Sequence, residues 1–250
     1  MTTPVALVTG SGARRVGRKV AEALAGRGYA LALHYHTSRD EAQQGAAELR
    51  TTGIEAEAFG ADLTDESATR DLIATVLARF GRLDALVHCA AIWKPIPLEK
   101  ITAADVRKYF DANTLATLLI AREAGLAMTK QPSGGSIVLV GDWATVRPYL
   151  NYAAYFASKG AIPTLTRTLA VELATRNPAV RVNCIQPGPV MLPPDLPAAE
   201  REQAIRGTLV KREGSPRNIA LAALHFLDND FVTGACLPVD GGRSIHSADT

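Results

Sequence analysis

Short apolar runs alternating with helix-patterned stretches, from one end of the chain to the other, constrain its fold more than any single motif. Val5–Thr9 (VALVT) is a continuous apolar run with β-branched residues, closed by Gly10. A run of that kind, without polar alternation, reads as a strand buried on both faces, as parallel sheets require. A helical stretch over 16–25 follows and is stopped by Gly26 and Gly28. The pattern then repeats. Strands over 29–35, 55–59, 83–88, 136–140, 180–185 and 235–239 interleave with helices over 40–49, 64–80, 102–129, 153–173 and 216–227. Thr102 and Asp105 make a capping-box pair for the long helix, and Ser215-Pro216 gives an N-cap with a first-turn proline. The alternation predicts an α/β fold, a doubly wound parallel sheet of about seven strands with helices on both faces. No repeat, composition break or linker interrupts it, so one domain over 1–250 is expected.

Composition narrows the partners. With 250 residues, 47% hydrophobic and 21% charged, the chain matches a soluble globular protein long enough to bury one large core. The formal net charge is +2 and the Lys and Arg residues are dispersed, which argues against nucleic acid or an anionic membrane as partner. No uncharged apolar run reaches the roughly 18 residues of a spanning helix. MTTPVALVTG lacks the basic-then-apolar pattern of a secretory signal. Cys89, Cys184 and Cys236 are far apart and form no CxxC pair; Cys184 and Cys236 lie in apolar runs and are expected to be buried thiols. A reducing cytoplasm fits this usage.

In a doubly wound sheet, ligands bind at the carboxyl ends of the strands, so the segments after the strands are where chemistry is expected. After the first comes Thr9-Gly10-Ser11-Gly12-Ala13-Arg14-Arg15-Val16-Gly17. Glycines let a backbone approach a pyrophosphate, and a helix amino terminus offers free N–H groups, so Gly10, Arg14, Arg15 and Gly17 are candidate dinucleotide contacts. After the second comes His34-Tyr35-His36-Thr37-Ser38-Arg39, with no acidic residue before Asp40 to hold ribose hydroxyls. Its imidazoles, hydroxyls and Arg39 suit a 2′-phosphate, which favours NADPH, with His36, Thr37 and Ser38 as contacts. His34 and His36 lack a third ligand, so no metal is expected. Asp62-Leu63 suits either the flank of an adenine ring or an ordinary helix cap. His88-Cys89-Ala90-Ala91-Ile92-Trp93 offers small residues, Ala90 among them, for a passing ribose. Trp93 suits stacking or a core position equally.

Tyr155 and Lys159 lie one turn apart on a helical face. A phenol titrates near 10, about three units too high for neutral proton transfer, and a nearby ammonium favours its ionised form. That spacing therefore predicts a Tyr155 lowered by Lys159. Upstream, at a strand end, stands the carboxylate of Asp142.

Together, Thr9-Gly10 with Gly17, Asp62, Asn113, Tyr155-x-x-x-Lys159, Asn183 and Pro187-Gly188 resemble the short-chain dehydrogenase/reductase family along essentially the whole chain. The resemblance implies a Rossmann-like sheet, a nicotinamide cofactor and a small-molecule substrate. It implies Tyr155 as general acid or base and Lys159 on the nicotinamide ribose. Asn113 is implied to support a water relay, with the backbone near Pro187, Gly188 and Val190 on the carboxamide. A homotetramer built through the long helices at 102–129 and 153–173 is implied as well.

The departures point to one branch. Asp142 stands where the family has a serine, Arg15 replaces a glycine in a loop one residue longer, and His88-Cys89-Ala90-Ala91 replaces Asn-Asn-Ala-Gly. These features are similar to the pteridine reductases and the bacterial dihydromonapterin and dihydrofolate reductases. In that branch Trp93 would stack the pterin, Arg15 would contact pterin and cofactor phosphate, and Asp142 with Tyr155 would deliver a proton. A carboxylate suits the N–H donors of an amino-pyrimidine better than a lone ketone oxygen. The proline-rich stretch 187–197 is placed to close over a substrate or to serve as a plain connector.

Overall fold

The computed structural model describes residues 3–246. Among them, seven strands form one parallel sheet: β1 (Val5–Thr9), β2 (Ala30–Tyr35), β3 (Ala56–Gly60), β4 (Ala85–His88), β5 (Gly135–Val140), β6 (Val180–Pro187) and β7 (Cys236–Val239), in the order β3-β2-β1-β4-β5-β6-β7. Every residue of β1 and of β4 is buried, as continuous apolar runs demand. Alternate residues feed two apolar layers. On one face Leu7, Leu86 and Ile137 pack with α3 (Glu66–Phe80), α5 (Ala116–Met128) and α7 (Ile162–Ala174). On the other, Val8, Val87 and Val138 pack with α1 (Val16–Ala25) and α9 (Pro216–Asp228). Helix α2 (Arg39–Thr51) adds Ala46 and Leu49 to that second layer.

The chain winds outward from β1 to β3 and then returns to β4 beside β1. That reversal opens a crevice at the carboxyl ends of β1 and β4, the usual ligand position in such sheets. The glycine turn, Ala90, Asp142 and the Pro187-Gly188 corner all lie at strand carboxyl ends.

Two expectations need correction. The long helix over 102–129 is three pieces: α4 (Ala103–Tyr109), a π turn over Phe110–Leu115, and α5. The capping box of Thr102 and Asp105 does form. The π turn carries Asn113, whose side chain leaves the helix to bond elsewhere, a common reason for such a bulge at a site. The helix over 153–173 is divided into α6 (Ala153–Gly160) and α7, because Pro163 in the first turn of α7 has no N–H to continue the ladder. Beyond the proline-rich stretch an unanticipated helix, α8 (Ala198–Arg206), forms. More than half of its residues are charged or polar and Ala204 is its one buried residue, so it carries little apolar periodicity to read.

Candidate active site

The glycine turn is held from beneath by a residue the sequence reading passed over. Arg18 is 5% exposed; its Nε donates to the Ser11 carbonyl at 3.1 Å, and Nη2 donates to Gly12 O and Glu41 O, both at 2.9 Å. A Cβ on Gly45 of α2 would land in that guanidinium. A glycine inside a helix was the available signal. Gly10 takes φ +64°, and a Cβ there would come within 2.9 Å of the Ala90 backbone. At Gly17 it would lie 2.6 Å from Gly10 O. Both approaches require glycine, because a Cβ at either position would strike neighbouring backbone.

His34 and His88 brace the same corner. Gly10 N–H donates to His34 Nδ1 at 3.3 Å, which puts the proton on Nε2, 3.1 Å from Ala61 O. Both nitrogens are used and burial lowers the ring to about 4, so His34 is a neutral structural tie rather than a metal ligand. The Thr9 hydroxyl accepts from Cys89 N (3.1 Å) and Ala90 N (3.3 Å) and lies 2.8 Å from His88 Nδ1. Burial lowers His88 to about 3 and pushes the Cys89 thiol up to about 12, so Cys89 carries little thiolate near neutrality.

The remaining cofactor candidates divide. Arg14 is exposed and pairs with Glu48 at 3.1 Å. Arg15 is exposed at the start of α1, and its guanidinium has no hydrogen bond or ion pair among the described residues. A cleft of about 550 Å³ gathers Arg14, Arg15, Lys19 and Arg217. His36 and Thr37 are exposed, with His36 3.8 Å from Asp62, and the Ser38 hydroxyl packs toward Gly12. Asp62 does not cap α3; Asp65 does, accepting from Ala68 N at 2.8 Å. Asp62 instead accepts from the Thr64 N–H and hydroxyl, which hold its carboxyl below the usual range. Leu63 is 5% exposed and its side chain belongs to the core. Gly188 N donates to Val239 O at 3.0 Å, and Val190 is buried against the α1–α9 layer.

Across the crevice, Tyr155 donates its hydroxyl proton to Asp142 Oδ2 at 2.7 Å, while Asp142 Oδ1 accepts from Ala144 N at 2.8 Å. Burial raises Asp142 despite both hydrogen bonds. Tyr155 is pushed well above its ordinary value by burial first, then by the Asp142 charge. The lowering expected from Lys159 is therefore absent. The ammonium of Lys159, itself lowered by burial, donates to Val140 O at 2.8 Å, and the acidic group it answers to is Asp142. Asn113 Nδ2 donates to Ile92 O (3.1 Å) and Ser158 Oγ (3.0 Å), and its Oδ1 accepts from Ile92 N (2.9 Å). The asparagine thus fastens the loop after β4 to α6, with its side chain fully occupied.

That loop carries Trp93, pinned by Tyr109, whose hydroxyl donates to Lys94 O at 2.7 Å. Trp93 is 38% exposed and stacks on Tyr152, with centroids 5.0 Å apart and rings 17° from parallel. Tyr152 continues to Tyr155 and Tyr149, and Tyr149 to Trp143. The sequence reading missed this wall except for Trp93 and Tyr155, although five aromatics within 143–156 were there to see. The stretch 187–197 is tied to Glu213, which accepts from Leu192 N (2.9 Å) and pairs with Arg201 of α8 (2.6 Å). Arg243 lies over the Trp143 ring at 4.9 Å and also donates to Ala204 O, so the carboxyl-terminal segment straps α8 to the wall.

A glycine turn at the reversal point of a parallel sheet marks the class of dinucleotide-binding α/β proteins. Residues 12–244 match the family model described as "Enoyl-(Acyl carrier protein) reductase". Pteridine reductase 1 of Leishmania tarentolae is 32% identical, over 99% of this chain and 98% of that protein. The 3-oxoacyl-[acyl-carrier-protein] reductase of a Synechocystis species is also 32% identical, over 97% of each. Among solved structures, acetoin dehydrogenase from Enterobacter cloacae superposes with a TM-score of 0.87 at 30% identity, covering 98% of this chain and 97% of that one. The chain belongs to the short-chain dehydrogenase/reductase family. It is accordingly an oxidoreductase that takes a nicotinamide cofactor, NAD or NADP, and a small-molecule substrate.

Proposed function

We propose that the protein is an NADPH-dependent pteridine reductase acting on a dihydropterin, dihydromonapterin or dihydrofolate. The observation that carries this reading is the half-buried Asp142 carboxyl bonded to the Tyr155 hydroxyl at 2.7 Å. A reductase of simple carbonyls needs one neutral donor aimed at one oxygen. A carboxyl next to that donor suits a ring that presents adjacent N–H groups and a C=N bond. The aromatic wall from Trp93 to Trp143 suits a flat heterocycle. Similarity to a pteridine reductase over nearly the full chain supports the same substrate class.

The close approaches at Gly10 and Gly17 fit a dinucleotide pyrophosphate on the amino terminus of α1. Gly10, Arg14, Arg15 and Gly17 would hold the phosphates and His36, Thr37 and Ser38 the 2′-phosphate. Asp62, Leu63 and Ala90 would border the adenosine. Lys159 and Tyr155 would hold the nicotinamide ribose, and Pro187, Gly188 and Val190 the carboxamide. The bound cofactor supplies the hydride. Asp142 keeps its proton to higher pH than an exposed carboxyl because ionisation in that pocket is unfavourable. Paired with Tyr155, it stores the proton that a reduced ring nitrogen requires, and Tyr155 Oη presents it. Arg15 and Trp93 would contact the pterin. The same reading carries a single domain over 1–250, a homotetramer and a cytoplasmic setting, by family resemblance.

The test is oxidation of NADPH and of NADH against a panel of dihydropterins, dihydrofolate and simple ketones. Pterin turnover with NADPH is expected. Ketone turnover without pterin turnover would replace this reading with that of a carbonyl reductase, and cofactor binding without any turnover would replace it with a non-catalytic sensor.

A further inference from the structure

Cys184 and Cys236, widely separated in sequence, are direct Cα partners across the parallel strands β6 and β7. Neighbouring strands lie about 4.8 Å apart. That is inside the roughly 4.4–6.8 Å that a disulfide spans between Cα atoms. Partnered residues send their side chains to the same face, and both thiols pack on the α3–α5–α7 layer. The two differ in exposure. Cys184 is wholly buried, whereas Cys236 is half-buried on the strand at the edge of the sheet, where the sequence had suggested a buried thiol.

The Cys184 thiol donates to Ile185 O at 3.4 Å and is raised, while the neighbouring Cys184 thiol, with a smaller contribution from the Arg167 charge, lowers Cys236 to about 7. A thiolate near neutrality, partly exposed and beside a second thiol, is the arrangement that reacts with hydroperoxides. Cys89 offers the contrast within the same chain: a thiol pushed up to about 12, with no cysteine partner. The pair also lies against the candidate site, since a Cβ on Gly141, the residue before Asp142, would meet Cys184 Sγ at 3.1 Å.

We propose that Cys236 and Cys184 form a peroxide-reactive dithiol, with Cys236 as the attacking thiol and Cys184 as the resolving one. Cys236 sulfur attacks one peroxide oxygen, the O–O bond breaks, and Cys236 sulfenic acid and one water result. Cys184 sulfur then attacks the sulfenyl sulfur; the S–O bond breaks, a disulfide forms, and the Cys184 proton leaves with the hydroxide as a second water. Two thiols are oxidised and one peroxide is reduced. The inference does not depend on the substrate of the reductase.

The full-length protein is treated with hydrogen peroxide, its remaining thiols are alkylated, and its peptides are mapped by mass without reduction. The expected product is a Cys184–Cys236 linked peptide, lighter by two hydrogens than the two free peptides and released by dithiothreitol, with Cys89 alkylated in full. Cys236→Ser, a mild change at a half-buried position, removes the linked peptide. Cys184→Ser leaves Cys236 without a resolving partner, so it proceeds to sulfinic acid. Full alkylation of both cysteines after peroxide would overturn the proposal. So would wild-type Cys236 recovered as sulfinic acid with no link. Both readouts stand on the unmodified sequence, whether or not either variant folds.

Discussion

On the β1–β2 side of the crevice, Arg18, His34 and Thr9 end most of their hydrogen bonds on backbone atoms. On the β5–α6 side, Asp142 and Tyr155 bond to each other, and the aromatic wall packs around them. Both sides bury polar side chains, but for different ends. The first keeps its histidine neutral, with His34 lowered to about 4, and uses polar atoms to fix the path of the chain. The second keeps a carboxyl protonated to higher pH and a phenol unionised, so what it holds in place is a proton. Substitutions on the two sides should therefore fail in different ways.

The largest effect is expected at Tyr155. Tyr155→Phe removes the donor while keeping the ring packed against Tyr109 and Phe156, so turnover should fall by about 10³-fold, in the range of general-acid catalysis. Cofactor affinity, measured by fluorescence, should fall far less than turnover, by the one ribose contact that the hydroxyl would make. A loss confined to cofactor affinity would erase the distinction between the two sides.

Asp142→Ser comes next, with pterin turnover down by about 10²-fold and cofactor binding retained. The pH profile carries the sharper readout. Because the Asp142 carboxyl is raised, its proton is present below that raised value and lost above it, so reduction should slow as pH climbs through it. Asp142→Ser should remove that limb. His34 and His88, lowered to about 4 and about 3, are neutral throughout the neutral range and contribute no limb there. A wild-type rate that is flat with pH would deny Asp142 its role.

How much of this was legible follows the same division. All seven strands could be read, and the two flanking the crevice, β1 and β4, most directly, because strands buried on both faces show as apolar runs. The site's Tyr155, Lys159 and Asp142 could be read from a spacing and a departure from a family pattern. What remained hidden depends on partners distant in sequence. Nothing local in Arg18 tells that it will be buried under the glycine turn and not join Arg14 on the surface; only Gly45, far along the chain, makes room for it. The Tyr155 ionisation was misread for a related reason. Helical spacing places Lys159 near Tyr155, but the depth of burial and the carbonyl that takes the ammonium, that of Val140, are properties of the assembled core.

A smaller effect tests the scaffold side. Gly45→Ala places a methyl group in the Arg18 guanidinium and forces it off the Ser11 and Gly12 carbonyls. Overpacking of this kind destabilises by about 2 kcal/mol, read as a lowered midpoint in chemical denaturation. Weaker cofactor binding should accompany it, with the shape of the pH profile intact. A changed pH limb in this variant would show that the glycine turn and the Asp142 proton are coupled after all.

Trp93 gives the smallest expected effect and bears most directly on what the wall recognises. One face of its ring is already stacked on Tyr152, and the ring is 38% exposed, so the free surface is what a substrate would meet. An aromatic stacking contact is worth about 1 kcal/mol, so Trp93→Ala should raise KM for a dihydropterin by about fivefold and leave kcat nearly unchanged. Trp93→Phe should recover most of that loss, because a smaller ring still stacks. Simple ketones lack a flat ring, so their KM should not respond. If Trp93→Ala instead lowers kcat for pterins and ketones alike, Trp93 acts by bracing the loop that Tyr109 and Asn113 hold, and the wall belongs with the scaffold side of the crevice.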